Sequence, residues 1–404
     1  MSAAASGLTL ESRDRAFLRQ LATTALRQLG VIDQVLAKHL TRPDDLPAST
    51  LDALRLGAAQ LLFLETPAHA AVDGAVASLP ERLGSAQRGV VNAVLRKIAA
   101  GGTQRIGALD HDQLTLPPWL WKRLTESWGE PVARAAAAAM RSEPSLDITL
   151  RLPDATGWAE RLGATRLPSG SLRRASEGRV EELAGFDEGS WWIQDAAAAL
   201  PARLLGPVAG LRIADLCAAP GGKTAQLLSQ GAVVTAVDRS AARLERLKEN
   251  MDRLGFSPHI IAADITKWDH RSRFDGVLLD APCSATGTLR RHPDVAWTKT
   301  PGDLVPLMAL QDRLLGAAVG MLRPGGLLVY CTCSLLPEEG EDRIDALIAS
   351  GAPVERVPLT DDDVPESAFI SPSGNLRTLP GQWAEQGGLD GFFAARLRRI
   401  ANRA

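Results

Sequence analysis

The sequence predicts an α/β protein whose C-terminal half is a doubly wound, Rossmann-like parallel sheet. Three observations predict this class. From Leu211 onward short apolar strands alternate with helices, whereas from Arg13 to about Ala100 apolar residues recur at helical spacing with no convincing strand. Between these parts, residues 144–200 mix short strand-like runs with turn clusters. At 404 residues the chain has room for two or three domains of these kinds.

The first domain is expected over residues 1–112 and is all-helical. The apolar positions Phe17, Leu18, Leu21 and Ala25 share one helical face, and a similar stripe recurs from Leu51. A Gly-Gly pair and a Pro-Pro pair between residues 101 and 118 indicate a domain boundary. We therefore expect a bundle of helices that ends before this segment.

A small linking subdomain is expected over residues 113–205. It begins with one predicted helix, Trp119–Met140, and continues with a strand-like run, Leu146–Leu152. Turn residues follow at Pro168–Gly170. The segment closes on Trp191-Trp-Ile-Gln-Asp-Ala, and we interpret the whole as a small α/β unit.

The third domain is expected over residues 206–404. Its predicted strands are separated by helices, notably Ala241–Leu254 and Asp303–Leu322, and this alternation is typical of a parallel sheet. A last strand near Gly391–Arg399 is expected to be antiparallel. The parallel strands are Leu211–Cys217, Ala232–Val237, His259–Ala263, Gly276–Asp280 and Gly326–Cys331. Ligands of such sheets bind at the carboxyl ends of the strands.

Charge and cysteine usage limit the function classes. A formal net charge of −2 excludes nucleic-acid binding by bulk positive charge, so any such binding depends on a local patch. The four cysteines form no CxxC pair and no histidine lies at zinc-finger spacing, so no metal is expected. The N-terminus lacks an apolar signal core and no run of 18 apolar residues occurs, which predicts a reducing cytoplasm and no membrane.

The turn after the first strand indicates a ligand site. In the run ADLCAAPGGKT, from Ala214 to Thr224, two glycines and small alanines let a ligand approach backbone amides near a helix N-terminus. The dinucleotide pattern G-x-G-x-x-G is absent, and the P-loop pattern fails because Cys217 occupies its first glycine position. A P-loop NTPase remains an alternative, since Gly276–Asp280 resembles the acidic strand of that class.

Acidic residues end three successive strands. Asp238 could accept hydrogen bonds from both hydroxyls of a ribose, and Asp264 could accept from the amine of adenine. Asp280 ends the next strand. Several acids around one site suggest a cationic cofactor, and S-adenosylmethionine carries a sulfonium and an amino group. Each aspartate taken alone could instead be a helix N-cap.

Two thiols at adjacent strand ends, Cys283 and Cys333, suggest covalent chemistry. Carbon C5 of a pyrimidine is a poor nucleophile, so its methylation requires a thiolate to add to C6 first. An acid such as Asp280 could then stabilise the charge that develops at N3. An amino-methyltransferase would carry an aromatic residue after the turn that here reads Asp280-Ala-Pro-Cys. Cys331 lies within a strand and is expected to be a small hydrophobe, and Cys217 would contact a ligand through its backbone.

These residues make the chain similar to the RsmB (Fmu, Sun) group of bacterial 16S rRNA cytosine-C5 methyltransferases, within the NOL1/NOP2/Sun family. The resemblance covers nearly the whole chain, and the N-terminal half resembles the NusB-like helical domain of that group. Its motifs are Pro67–Val72, Gly89–Lys97, Cys217–Lys223, Asp280–Gly287, Arg290–Asp294, Thr332–Ser334 and Pro337–Glu339. Family members often carry Arg-x-Asn ahead of the catalytic domain, where this chain reads Thr-Leu-Arg-Leu from Thr149.

The resemblance implies a class I methyltransferase core, RNA as partner with 16S rRNA as the expected substrate, and a monomer. It implies that Cys333 is the C6 nucleophile and that Cys283 assists release of the methylated product. It also implies that Arg290 and Arg291 lie beside bound RNA. The residues implied to contact S-adenosylmethionine are Cys217, Ala218, Ala219, Pro220, Gly221, Gly222, Lys223, Asp238, Asp264 and Asp280.

Besides the P-loop NTPase, the sequence leaves two alternatives open and disfavours a third. The RNA could be a tRNA or another rRNA position, which the motifs do not separate. The chain could be an RNA-binding assembly or antitermination factor that has lost methylation, although the intact Asp280, Cys283 and Cys333 argue against it. Methylation of DNA would leave Cys333 unexplained. Because the pKa of a free thiol is about 8.5, it is only a few per cent ionised at neutral pH, so the pocket is expected to activate the nucleophile.

Overall fold

The computed structural model describes residues 11–101, 106–152, 156–268 and 273–401. The chain folds into two compact units, Met1–Lys122 and Arg123–Ala404. The N-terminal stretch 1–10, on which the predicted localisation depends, and residues 102–105 of the predicted boundary lie outside the described residues. The three-part division at residues 112 and 205 stays a prediction.

The first unit is helical, as predicted, and its described residues contain no strand. Apolar residues on facing helices form one core, which includes Ile32, Leu54 and Leu95. A Cβ atom at Gly57 would collide with the side chain of Leu95, so a glycine here lets the helices that carry these two residues pack closely. The helices are α1 (Ser12–Arg27), α2 (Leu29–Ala37), α3 (Ala48–Phe63), α4 (Ala68–Ala77), α5 (Ser85–Gly101) and α6 (His111–Thr115).

The prediction of one helix over Trp119–Met140 is wrong, because two helices occupy this segment. They are α7 (Pro118–Trp128) and α8 (Glu130–Arg141). Gly129 between them has φ of +84°, a left-handed conformation that only glycine adopts without strain. Pro131 then favours the first turn of a new helix, where its missing N–H has no cost.

A small antiparallel sheet follows, in the segment for which the sequence predicts a small α/β unit. Its strand order is β2-β3-β1-β4, and every pairing is antiparallel. Its core centres on the buried Trp191, whose indole N–H donates to the carbonyl oxygen of Ala184 at 2.8 Å. The elements are β1 (Leu146–Leu150), α9 (Trp158–Arg161), β2 (Thr165–Arg166), β3 (Leu172–Arg174), β4 (Trp191–Ile193) and α10 (Leu200–Arg203).

The Rossmann-like prediction for the C-terminal part is confirmed. The large sheet has the order β10-β12-β9-β8-β5-β6-β7, with β11 paired to β12. Strands β5 to β9 are parallel, whereas β12 is antiparallel to β9, as predicted. Its strands are β5 (Arg212–Leu216), β6 (Val233–Asp238), β7 (His259–Ala262), β8 (Phe274–Asp280), β9 (Leu322–Thr332), β10 (Val354–Arg356), β11 (Leu376–Thr378) and β12 (Phe392–Arg399).

Helices cover this sheet and connect its strands. They are α11 (Gly222–Ser229), α12 (Ala241–Leu254), α13 (Asp294–Thr298), α14 (Pro301–Met321) and α15 (Glu341–Ala349). In the described residues α14 alone has the length and composition of a membrane span. Its residues Leu314, Leu315 and Ala318 are buried in the core beneath the sheet.

Candidate active site

The sequence-predicted site residues come from strand ends at the centre of the large sheet. Strand β5 pairs in parallel with β6 on one side and with β8 on the other, so the order in which strands are added to the sheet reverses at β5. Such a switch point opens a crevice at the carboxyl ends of the strands. The turn after β5, the acid that ends β6 and the acid that ends β8 all lie at this edge.

The turn from Cys217 to Lys223 is held by backbone bonds and by glycine. The amide of Ala218 donates to the carbonyl oxygen of Val237 at 3.1 Å. Gly221 has φ of +104° and caps α11, and a Cβ atom there would lie 3.1 Å from Leu247. Burial raises the pKa of the Cys217 thiol, which favours the neutral form. Cys217 is therefore suited to a backbone contact rather than to thiolate chemistry.

Asp215, inside β5, adds a group that the sequence did not single out as a site residue. It is fully buried, and one carboxylate oxygen accepts a hydrogen bond from the Thr224 hydroxyl at 2.6 Å. Within the described structure its other oxygen has no hydrogen-bond partner. Burial raises the pKa of Asp215 to about 7. A buried acid with a free oxygen suits a ligand that carries a cationic donor group.

Asp238 and Asp264 occupy different surroundings. Asp238 is buried and accepts from the amides of Ser240 at 2.9 Å and Ala219 at 3.3 Å, with Arg243 at 3.2 Å. Ser240, rather than Asp238, is the residue that caps α12. Asp264 accepts from the hydroxyl and the amide of Thr266, and these bonds lower the pKa of Asp264. The observed partners of Asp264 are local, and its contact with adenine stays a prediction.

Asp280 forms an ion pair with Lys223. The Nζ atom of Lys223 lies 2.8 Å from one carboxylate oxygen of Asp280, and the Sγ atom of Cys331 lies 3.6 Å from the other. Burial alone lowers the pKa of Lys223, but the Asp280 carboxylate outweighs it and raises that pKa. The Lys223 charge also interacts with the sulfurs of Cys331 and Cys333. A buried cation thus lies beside the acid Asp280.

The structure brings Cys283 and Cys333 together as free thiols. Their Sγ atoms are 3.6 Å apart although 50 residues separate them in sequence. The contact with Cys333, and then burial, raise the pKa of Cys283 well above its usual range. Cys331 is fully buried in β9, and burial raises its pKa too, in keeping with the small hydrophobic residue expected there.

Arg290 and Arg291 lie in a buried charge cluster with three aspartates. Arg290 is only 2% exposed and forms ion pairs with Asp195 at 2.8 Å and Asp390 at 3.2 Å. Arg291 pairs with Asp195 at 2.6 Å, with Asp390 at 3.3 Å and with Asp147 at 3.4 Å. The guanidinium of Arg290 is enclosed in this cluster rather than solvated, and the RNA contact expected of both arginines stays a prediction. Their observed contacts join segments of the second unit.

We expect Arg290→Ala to lower the free energy of unfolding by about 3–5 kcal/mol, because it breaks two buried ion pairs and leaves Arg291 as the one arginine that pairs with Asp195 and Asp390 in the described cluster. Urea denaturation followed by circular dichroism measures this change. Arg239→Ala, which removes an arginine from the loop before α12, serves as the control and should unfold near the wild-type midpoint. An Arg290→Ala protein with wild-type stability and weakened RNA binding would instead support the RNA contact.

A cavity of about 490 Å³ opens beside the turn, a size typical of ligand pockets, which span about 300–1,000 Å³. It includes the turn residues together with Asp215 and Asp280, but not Asp238, Asp264, Cys283 or Cys333. The sequence did not predict several of its other lining residues, which include Phe186, Trp192, Gln194, Asn250, Arg253 and His292. Among the described residues no group of three or more potential metal ligands occurs.

Comparisons with known proteins agree on one family. A model described as 16S rRNA methyltransferase RsmB/F matches residues 202–398, and a NusB family model matches residues 2–100. The ribosomal RNA small subunit methyltransferase B of Pseudomonas syringae pv. tomato is 37% identical over 412 residues. That alignment covers 97% of this chain and 91% of the relative.

Solved structures share the fold. The crystal structure of PH0851 superposes with a TM-score of 0.79 at 24% identity, and the match covers 97% of this chain and 91% of the other. A methyltransferase homologue from Pyrococcus horikoshii superposes with a TM-score of 0.59 at 28% identity. That match covers 72% of this chain and 98% of the other.

Proposed function

Because the chain belongs to the RsmB/F family of 16S rRNA methyltransferases, we propose that it methylates carbon C5 of a cytosine in 16S rRNA by covalent catalysis. It is an RNA methyltransferase. The observation that carries the cytosine-C5 proposal is the contact of Cys283 and Cys333, 3.6 Å apart, with the acid Asp280 at the end of the strand that precedes Cys283. Methylation of a nitrogen or of a ribose hydroxyl needs no thiol.

The residues around the turn suit S-adenosylmethionine, the methyl donor. Asp215 offers a free buried oxygen, and Gly221 and Gly222 line the cavity near the start of α11. We propose that this turn, with Asp238 and Asp264, holds the cofactor. When bound, the cofactor supplies an electrophilic methyl group on a sulfonium.

We propose that the Cys333 thiolate attacks C6 of the cytosine and forms an Sγ–C6 bond. The electron pair of the C5–C6 double bond is then available at C5, and Asp280 supplies a hydrogen bond or a proton at N3.

Once C5 carries the methyl group, a base removes the C5 proton and the Sγ–C6 bond breaks. These two events restore the aromatic ring and return the Cys333 thiolate. Cys283 is placed to assist because its sulfur lies against that of Cys333. The net change is that the C5 hydrogen leaves as a proton and a methyl group replaces it.

The proposal extends to the setting of the enzyme. We propose a cytoplasmic monomer, since the substrate is ribosomal RNA. The following experiment distinguishes this proposal from three alternatives: a tRNA target, another rRNA position and an assembly factor without methyltransferase activity.

The purified protein should transfer tritiated methyl from S-adenosylmethionine to 16S rRNA, and bisulfite sequencing should map the label to a protected cytosine. Unmethylated 16S rRNA, 23S rRNA and tRNA are compared, each as naked RNA and, for rRNA, in ribosomal particles. Label in tRNA alone would overturn the substrate. Label that bisulfite does not detect would overturn the C5 position, and ATP hydrolysis without methyl transfer would favour the P-loop alternative.

A further inference from the structure

A fully buried carboxylate, that of Glu339, connects the two cysteine turns. One of its oxygens accepts from the amide of Ser284 at 2.9 Å and from the side-chain amide of Gln311 at 3.1 Å. The other accepts from the hydroxyl of Ser334 at 2.7 Å and from that of Ser284. Glu339 is 0% exposed and forms no ion pair in the described part of the chain. Four donors therefore satisfy a buried negative charge.

The two serines are the residues that directly follow the cysteines. Ser284 follows Cys283 and Ser334 follows Cys333, so one carboxylate holds the backbone next to each sulfur. The hydroxyl of Thr286 lies 3.2 Å from each serine hydroxyl and accepts from the amide of Leu335. Both serine hydroxyls donate to Glu339, so the hydroxyl network points toward the carboxylate and ends there.

The backbone of Glu339 fixes the same region from the side of β9. Its carbonyl oxygen accepts from the hydroxyl of Tyr330 at 2.9 Å and from that of Thr332 at 3.3 Å. Both donors precede Cys333 in the chain. Glu339 is therefore bound through its side chain and its backbone, and it cannot move without disturbing the turn that carries Cys333.

We propose that Glu339 is a positioning residue that holds the two thiols in contact and, through its buried charge, disfavours ionisation of Cys283. The catalytic purpose of this arrangement rests on the proposed cytosine-C5 chemistry. The contacts of Glu339 with the two cysteine turns do not depend on it. Two adjacent thiols need a difference in ionisation, because a proton shared between them would leave the nucleophile undefined.

The charge of Glu339 acts on Cys283. Its carboxylate contributes to the raised pKa of Cys283, after the contact with Cys333 and burial. Loss of that charge should therefore make Cys283 easier to ionise.

The test compares alkylation of the two cysteines by iodoacetamide at pH 7.5, read by mass spectrometry of each peptide, in the full-length protein without RNA or cofactor. In Glu339→Gln we expect the rate at Cys283 relative to Cys333 to rise severalfold, because a charge that helps to keep the pKa of Cys283 high is lost. Asp342→Asn, which removes an exposed charge three residues away, is the matched control and should keep the wild-type ratio.

Two further variants separate charge from position. Glu339→Asp keeps the charge and shortens the reach, so Cys283 should stay slow to alkylate. Ser284→Ala keeps the carboxylate but removes one link, so diamide should oxidise the Cys283–Cys333 pair to a disulfide more slowly than in the wild type. Circular dichroism verifies that each variant is folded, and Ser284→Ala tests the proposal if Glu339→Gln does not fold.

Wild-type alkylation ratios and disulfide rates in folded Glu339→Gln and Ser284→Ala proteins would overturn the inference. Methyl transfer assays of the same proteins distinguish this failure from failure of the proposed function. If the wild type does not methylate cytosine but the alkylation ratio changes in Glu339→Gln, the proposed function is wrong and the positioning role holds. If the proposed function and the positioning role are both correct, Glu339→Gln should lower kcat with little change in KM. Glu339→Asp should then retain a higher kcat than Glu339→Gln.

Discussion

Cys333→Ala is expected to abolish methyl transfer, with a fall in kcat of at least about 10⁴-fold, the scale seen when a covalent nucleophile is removed. The reason is electronic: without a thiolate bonded to C6, carbon C5 has no electron pair to attack a methyl group. The measurement is transfer of tritiated methyl to 16S rRNA. Binding of RNA should persist, because the deleted sulfur acts only in the reaction.

Cys283→Ala should give the opposite signature, a protein–RNA adduct that survives denaturing electrophoresis. The Cys333 thiolate still adds to C6 and methylation still proceeds, but release through Sγ–C6 cleavage is slowed. The expected adduct carries label from the methyl donor and disappears in the double variant. A stable adduct with Cys333→Ala, and none with Cys283→Ala, would reverse the two roles.

Cys331→Ala is the matched thiol control for this pair. Cys331 is fully buried in β9 and lies outside the Cys283–Cys333 contact. Its loss removes a small buried side chain, so we expect a modest decrease in stability and a protein that still forms no stable adduct. An adduct with this variant would show that packing in β9, rather than a particular thiol, controls release.

Elements with local signals at both ends could be predicted from sequence. Helix α12 matches its predicted bounds because the Ser240 side chain accepts from the Arg243 amide at its start and Gly255, in a left-handed conformation, ends it. The one large error concerns Gly129, where apolar periodicity continues across a break. A periodic pattern does not reveal a φ of +84°.

Site residues at the ends of strands could be predicted from the sequence. Contacts between residues far apart in the sequence could not. The acids Asp238 and Asp280 and both cysteines follow strands, so the topology brings them to one edge. Arg290, by contrast, looks like a solvated basic residue in sequence, and its partner Asp195 is 95 residues away. The role of Glu339 likewise depends on Ser284, 55 residues earlier. Pairings at such distances leave no local pattern.

Asp280→Asn is expected to lower kcat by about 10²- to 10⁴-fold, the usual contribution of a positioned acid or base. The amide has nearly the same shape as the carboxylate but cannot supply a proton at N3 and does not carry the charge that pairs with Lys223 at 2.8 Å. Both losses act on the addition step, so the adduct should form slowly. This distinguishes Asp280→Asn from Cys283→Ala, in which the adduct accumulates.

The double variant Asp280→Asn with Cys283→Ala makes the order of steps measurable. If Asp280 acts at the addition of Cys333 to C6, the adduct seen with Cys283→Ala should appear at a rate lower by the factor that Asp280→Asn takes from kcat. Asp362→Asn is the control. It neutralises an exposed acid 82 residues after Asp280 in the sequence and should leave that rate unchanged. Adduct formation at the Cys283→Ala rate would place Asp280 after the addition, or restrict it to binding the cofactor, in which case KM for S-adenosylmethionine should rise instead.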